Sequence, residues 1–325
     1  MSATGFVLAL GGANLDISAS PDRRLCPGDS TPGQVRCSPG GVARNVAENL
    51  ARLGHDSRLL SAVGDDPRGR ELLDATQRAG VDVSGCWVLP GVATASYVSV
   101  HDPGGDMAVA VNDMQVLEHI TPDRLEPHAE SVRRAAVLVV DCNLPEAALA
   151  WLFANGGAAP VFVDAVSAFK CRRLLPWLRQ VHTLKANRLE AQALSGLPVA
   201  SKADVEAVAR WLNGQGVQRV VLSLGEQGLY YRGNENDSGW QTALPVAVVN
   251  ATGAGDALMA GLVHSHLAHS HLAHAPLAQA VRFANGCAAL TLTVVSANHS
   301  QLSSASVEQL LRSMPCSPTP RTQAR

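Results

Sequence analysis

Lysine is nearly missing from this 325-residue chain: only Lys170, Lys185 and Lys202 stand against 23 arginines. There is no run of five basic residues and the formal net charge is −2, so neither nucleic acid nor an anionic membrane finds an electrostatic footprint. The seven cysteines are odd in number and never spaced CxxC, which argues against a zinc site or a disulfide framework. The N-terminal apolar run has no basic segment before it and is broken by Gly11, Gly12 and Asn14, so neither a secretory signal nor a membrane span is expected there. The expectation is a cytoplasmic protein without a macromolecular polyanion as partner. A chain so committed to Arg that still keeps Lys can be using a compact ammonium at those places, because the two cations hold anions differently.

What is present is a large apolar fraction, 46% hydrophobic against 17% charged, ample for a sizeable core. Apolar runs of strand length at 6–12, 57–63, 136–141, 160–164, 182–185 and 219–224 are each followed by a stretch of helical period. This alternation predicts an α/β fold, a mainly parallel sheet with helices on both faces. In GGVARNVAENLARLG the stripe Val42, Val46, Leu50 and Leu53 predicts a core-facing helix with Asn45, Glu48 and Arg52 on its other faces. Asp66 followed by Pro67 reads as a helix N-cap with proline at the first helical position. Segments 18–38 and 86–113 lack helical period, and ASYVSVHD and MAVAVND around PGG read as a hairpin, so both excursions are expected to build a small β lid. Residues 228–246 read as two antiparallel strands at a sheet edge, 1–315 as one domain, and 316–325 as a frayed tail. The pentad HSHLA occurs twice within the His-rich stretch 264–274; a five-residue period walks around a helix without building one ligating face, so a solvated repeat is expected.

The stretch NATGAGDALMAG, residues 250–261, carries the chemistry. A helix N-terminus has unpaired N–H groups and a positive dipole end. Gly253 and Gly255 let the backbone approach an anion and adopt positive φ, so the amides around Gly253, Ala254 and Gly255 can cradle phosphoryl oxygens. Asp256 then faces the same group. A carboxylate beside a phosphate makes sense where it takes a proton from an attacking hydroxyl.

With SPGGVARNVAENLARLG at 38–54 and LLSAVGDDPRG at 59–69, this stretch resembles the two signatures of the PfkB, ribokinase-like, kinases, and the resemblance covers nearly the whole chain. It implies a ribokinase-like fold with a β lid, ATP as phosphoryl donor, Mg²⁺, and a hydroxyl acceptor. The order of segments such as GGANLDI, ATASYVSVHDPGGDMAVAVNDM and VFVDAVSAFKC is similar to that of a nucleoside kinase of the family, with another sugar or nucleoside, such as ribose, adenosine or uridine, as the alternative. By the resemblance Asn14, Asp16, Gly41 and Asn45 hold the ribose hydroxyls, while Asn112, Asp113, Asn143 and Lys170 are placed to read a uracil-type base. Lys185, Thr252, Gly253 and Gly255 fall to the phosphates, Ser223, Gly225, Gly228 and Asn285 to the nucleotide, and Asn187 with Glu190, as N-x-x-E, to Mg²⁺, partly through water. Lid strands with open edges imply a homodimer through the lid. Some members bind a monovalent cation such as K⁺ at the C-terminal signature, but here Asn250 stands where many have aspartate, which leaves that cofactor in question. From another class, a Rossmann dehydrogenase would need G-x-G-x-x-G after the first strand, and GGANLD does not supply it.

Overall fold

The computed structural model describes residues 5–233, 237–268 and 276–314. The second HSHLA pentad and the tail at 316–325 lie outside the described residues. In chain order the strands are β1 (Val7–Leu10), β2 (Asn14–Pro21), β3 (Gly33–Gly40), β4 (Ser57–Leu60), β5 (Ala62–Gly64), β6 (Val81–Asp82), β7 (Trp87–Leu89), β8 (Ser96–His101), β9 (Met107–Asp113), β10 (Val137–Asp141), β11 (Val161–Asp164), β12 (Thr183–Asn187), β13 (Arg219–Ser223), β14 (Leu229–Arg232) and β15 (Ser238–Gln241).

The main sheet runs β6, β4, β1, β10, β11, β12, β13, β14, β15 from edge to edge. It is parallel from β6 to β13, and β14 and β15 are antiparallel, the edge hairpin expected for residues 228–246. Alternate residues of each central strand enter separate cores. Leu8, Leu10, Leu138, Val140 and Val163 pack on one face, while Val7, Ala9, Val139 and Phe162 pack on the other against the helices Val42–Arg52 and Ala254–Ala268. Burial on both faces explains why these strands read as unbroken apolar runs. The chain leaves β1 towards β4 and β6, then returns to β10 on the opposite side of β1. Such a reversal opens a crevice beyond the C-terminal ends of the two strands.

Above that crevice lies the second sheet, ordered β3, β2, β8, β9. It begins earlier than the aperiodic segments suggested, at Asn14, and Trp87–Leu89 is not part of it: β7 pairs with β5 in a separate two-stranded sheet. The register sorts its side chains. Asp16, Ser38, Tyr97 and Asn112 occupy one row and one face, whereas Ile17, Cys37, Val98 and Val111 share the opposite face.

The Val42–Arg52 helix departs from the one-sided pattern expected of it: Ala43 through Leu50 are buried on every side. The sheet covers its apolar stripe, while the Pro67–Arg78 helix and the 296–300 segment cover Arg44 and Asn45. Asp66 caps the Pro67–Arg78 helix by accepting from the Gly69 amide at 2.7 Å. No described helix is long and apolar enough to cross a membrane.

Candidate active site

The crevice floor is organised by a carboxylate that sequence reading missed. Asp141 ends β10 and is fully buried; its Oδ2 accepts from the Gly12 amide at 2.8 Å and the Ala43 amide at 2.9 Å, and its Oδ1 from the Asn143 amide at 2.8 Å. One side chain thus ties the exit of β1, the start of the Val42–Arg52 helix and the exit of β10. Burial raises its pKa, and the three backbone donors with Asn143 oppose that rise. The glycines around it have packing reasons. A Cβ on Gly11 would fall 2.3 Å from the Asp141 carboxyl, and one on Gly41, whose φ is +99°, would fall 2.5 Å from the Gly12 carbonyl.

Next to this floor, at the start of β2, Asn14 Nδ2 donates to Asp16 Oδ1 at 2.7 Å. Burial raises the Asp16 pKa against the lowering effects of Asn14 and Arg44. Asn143 accepts from the Lys170 ammonium at 2.6 Å, and burial lowers the Lys170 pKa while Asp141 opposes it. Asn112 sits on the lid face it shares with Asp16, although both it and Asp113 are exposed. Asp113 does not join them: it lies on the opposite face, in the row of Leu15 and Ser96, and its carboxylate accepts from the Gln115 amide.

Asp256 stands in the first turn of the Ala254–Ala268 helix, where the first amides have no intrahelical acceptor. Asn45 Nδ2 donates to its Oδ2 at 2.8 Å, so the floor and the base candidate are in direct contact. Burial first, and the nearby Asp164 and Asp141, push the Asp256 pKa up to about 8, against Lys185 and Asn45. Lys185 is buried in a 2.7 Å ion pair with Asp164 at the end of β11. Burial alone would lower the Lys185 pKa, but Asp164, Glu190 and Asp256 together raise it. Strand register explains the grouping, since Asp141, Asp164 and Lys185 are successive partners across β10, β11 and β12.

Before that helix, Gly253 has φ +80°, and a Cβ there would lie 1.9 Å from the Ala297 carbonyl oxygen. At Gly255 a Cβ would lie 2.8 Å from the Lys185 ammonium. The positive φ anticipated at this turn is therefore found at Gly253, while Gly255 leaves room for a cation. Asn250 holds the turn, its Oδ1 accepting from the Thr252 amide at 2.9 Å and its Nδ2 donating to the Val295 carbonyl at 2.7 Å.

The pfkB family carbohydrate kinase model matches residues 5–304. The chain belongs to that family. It is 44% identical to the pseudouridine kinase of Escherichia coli K12, over 96% of this chain and 98% of that one. A carbohydrate kinase from Agrobacterium tumefaciens is 28% identical and superposes with a TM-score of 0.80 over 96% of this chain and 98% of its own. Arabidopsis thaliana ribokinase, solved with ribose and ATP, superposes with a TM-score of 0.82 at 21% identity, over 95% of this chain and 99% of its own. The fold is therefore ribokinase-like, with a mostly parallel central sheet and a small separate sheet.

In this pfkB kinase the N-x-x-E element makes a capping box. Asn187 Oδ1 accepts from the Glu190 amide at 3.0 Å, and the Glu190 carboxylate accepts from the Asn187 amide at 2.7 Å and from its Nδ2 at 2.6 Å. Glu190 is 2% exposed. Each oxygen accepts a single one of these bonds and keeps a lone pair that suits a hard cation, so the chemistry of the pair fits Mg²⁺. Beyond β12, Ser223 ends β13, and Gly225 (φ +61°) and Gly228 (φ +84°) form the tight turn into β14, closed by a 2.8 Å bond from the Leu224 amide to the Gly228 carbonyl. Asn285 donates to the Thr242 carbonyl at 2.9 Å and pins the segment leading to Asn250; Thr252 is exposed. Asp141 and Asp164, missed from sequence, each terminate an apolar strand run, VLVVD and VFVD, at the sheet's C-terminal edge. That position is itself a signal for ligand-side residues in α/β sheets. Arg44 and Asn298 had no such signal, because only the tertiary fold brings them together.

Proposed function

We propose that this pfkB kinase transfers the γ-phosphoryl group of Mg-ATP to the 5′-hydroxyl of pseudouridine, giving pseudouridine 5′-phosphate and ADP. The observation that carries the chemistry is Asp256: a buried carboxyl with a raised pKa, in the first turn of a glycine-led helix, bonded to the floor residue Asn45. The choice of acceptor rests on the 44% identity to a pseudouridine kinase over nearly the full length of both chains.

In this reading Asn14, Asp16 and Asn45 hold the ribose hydroxyls, a carboxylate being able to accept from two of them. Asp256 takes the proton of the 5′-hydroxyl as its oxygen bonds to the γ-phosphorus and the bond to the ADP oxygen breaks. The first-turn amides at Gly253 to Gly255 and the Lys185 ammonium stabilise charge on the phosphoryl oxygens. Asn187 and Glu190 are the residues that would hold Mg²⁺, which would supply further charge neutralisation at the phosphates. Asn143, Lys170 and Asn112 remain the candidates for contact with the base, while Ser223, Gly225, Gly228 and Asn285 border the nucleotide. The lid, to which Asp16 itself belongs, excludes water, which would otherwise compete as acceptor.

Two finer points belong to the same reading. The outer lid face presents Val35, Val98, Val109 and Val111, the last 68% exposed, a face suited to pairing lids in a homodimer. Light scattering checks this, with Val111→Asp expected to give the monomer; a monomeric unsubstituted protein would refute it. The other point is the location, which we take to be the cytoplasm. The acceptor is tested by assaying ADP release with pseudouridine, uridine, adenosine and ribose in parallel. Pseudouridine should give the highest kcat/KM; preference for any of the others would reassign the substrate while leaving the kinase chemistry in place.

A further inference from the structure

We propose that Arg44 is a positioning residue for phosphoryl transfer: its guanidinium fixes the carboxamide of Asn45 so that the NH₂ end of Asn45, and never its oxygen, faces Asp256. The inference rests on the reading of Asp256 as the base.

A carboxamide is two-sided, with an acceptor oxygen and a donor nitrogen of nearly equal size. Left unconstrained, Asn45 could present either end to Asp256, and the oxygen end would repel the ionised carboxylate that acts as base. Arg44 removes that freedom. Its Nη1 donates to Asn45 Oδ1 at 2.8 Å, which leaves Nδ2 to donate to Asp256 Oδ2 at 2.8 Å. Asn45 is clamped at its backbone too, where its carbonyl accepts from Asn298 Nδ2 at 2.9 Å.

The guanidinium is itself immobilised from several elements. Nε donates to Thr76 Oγ1 at 3.1 Å, Nη1 also reaches Asn298 Oδ1 at 3.0 Å and the Pro39 carbonyl at 3.3 Å, and Nη2 pairs with Glu48. Glu48 is steadied in turn by Arg52 at 2.7 Å. Pro39 lies in lid strand β3, and Asn298 follows Ala297, whose carbonyl abuts Gly253. One cation therefore joins the root of the lid, the sugar floor, the segment behind the anion loop and, through Asn45, the base.

Arg44 is 4% exposed. Burying an ion pair costs more than filling the same volume with apolar side chains, so stability alone does not account for it. A planar fork with five donors does, because the acceptors around it lie in several directions that a single ammonium cannot satisfy together. The other charged groups facing Asp256 are Asp141, Asp164 and Lys185 from the sheet. None of these touches Asn45 Oδ1, so none duplicates Arg44.

The test is a double-mutant cycle on kcat with pseudouridine and ATP, using Arg44→Met, Asn45→Ala and the pair, with Arg44→Lys alongside. Arg44→Met should lower kcat roughly tenfold to a hundredfold, and Arg44→Lys should not restore it. The acid limb of its pH profile should move up by about one unit, as the Asp256 carboxylate loses its donor. In the Asn45→Ala background the Arg44 change should cost less than about twofold. Equal losses in both backgrounds, or an unmoved acid limb with only a lower Tm, would overturn the positioning role. If Arg44→Met does not fold, Thr76→Val takes its place in the same cycle, with a smaller loss that must also vanish in Asn45→Ala. Asp256→Asn separates the two levels: wild-type turnover there sinks the base assignment, whereas lost turnover there with multiplicative Arg44 and Asn45 effects sinks only the role of Arg44.

Discussion

The substitution Gly253→Ala is a sharp test of the anion loop, because a single methyl group is placed where nothing can yield cheaply. The added Cβ would lie 1.9 Å from the Ala297 carbonyl oxygen and 2.6 Å from its carbon, both backbone atoms. To reach even a tight contact of 3.0 Å the loop must retreat by about an ångström. The residue would also have to hold φ +80°, at a cost of about 1–2 kcal/mol for a side chain with a Cβ. Displacement of this size at a site of charge stabilisation costs about a hundredfold in rate. The expected phenotype is therefore a kcat lower by about two orders of magnitude, with a stability loss of about 2–4 kcal/mol once the clash is added to the backbone cost. Nucleoside affinity should hardly change, since Asn14 and Asp16 belong to β2 and not to this loop. Steady-state ADP release, thermal unfolding and nucleoside titration measure the three quantities. A Gly253→Ala variant with wild-type kcat and Tm would refute both the geometry of the turn and its role in transfer.

Asp256→Asn should retain nucleoside binding but lose at least about a hundredfold in turnover. Its carboxyl pKa is raised from 3.8 to about 8, so the folded wild type keeps a proton that the unfolded chain has released. That contribution to stability is complete below about pH 4 and is lost as pH rises through about 8; the Asn variant should thus melt above wild type at pH 8.5, with the gap closing on acidification. A lower Tm at pH 8.5 would contradict the burial argument. In the wild type the same proton must leave before the base can act, so kcat/KM should fall about tenfold per pH unit on the acid side of that pKa, read directly from a pH–rate profile. Lys185→Met strands the buried Asp164 without its partner and should destabilise by about 3–5 kcal/mol in denaturant titration, with KM for ATP raised; wild-type stability would refute the structural role of the pair. Replacing K⁺ with a bulky organic cation should leave turnover within about twofold, because the Asn250 amide already satisfies the Val295 carbonyl that a cation would otherwise attract. A loss above tenfold would disprove this.

Legibility follows the kind of force involved. Parallel strands buried on both faces declare themselves as apolar runs, and the edge hairpin through its turn residues, so the main sheet is readable. The glycine-led helix mouth that carries Asp256 is readable because glycines there have few other uses, and Gly253 does adopt the positive φ expected of that turn. The apolar stripe of the Val42–Arg52 helix is readable, but four such residues cannot announce that the opposite face will be covered by chain 254 residues from Arg44, at Asn298. β7 reads as lid for a similar reason: three residues have no period of their own, and only the presence of β5 gives Trp87–Leu89 a partner. Asp113 looks equivalent to Asn112 in VNDM, yet adjacent residues of a strand point to opposite faces, and register alone decides which one shares the face of Asp16.

The threefold grip of Asp141 on main-chain amides has an evolutionary corollary. A substitution that shifts the backbone platform at Gly12, Ala43 and Asn143 must break hydrogen bonds made by the main chain itself, so change there costs folding first. Tyr97 and Asn112, by contrast, hang from strands whose pairing is indifferent to side-chain identity. Relatives that diverge towards other acceptors should therefore record their history in the lid, with the platform nearly unaltered.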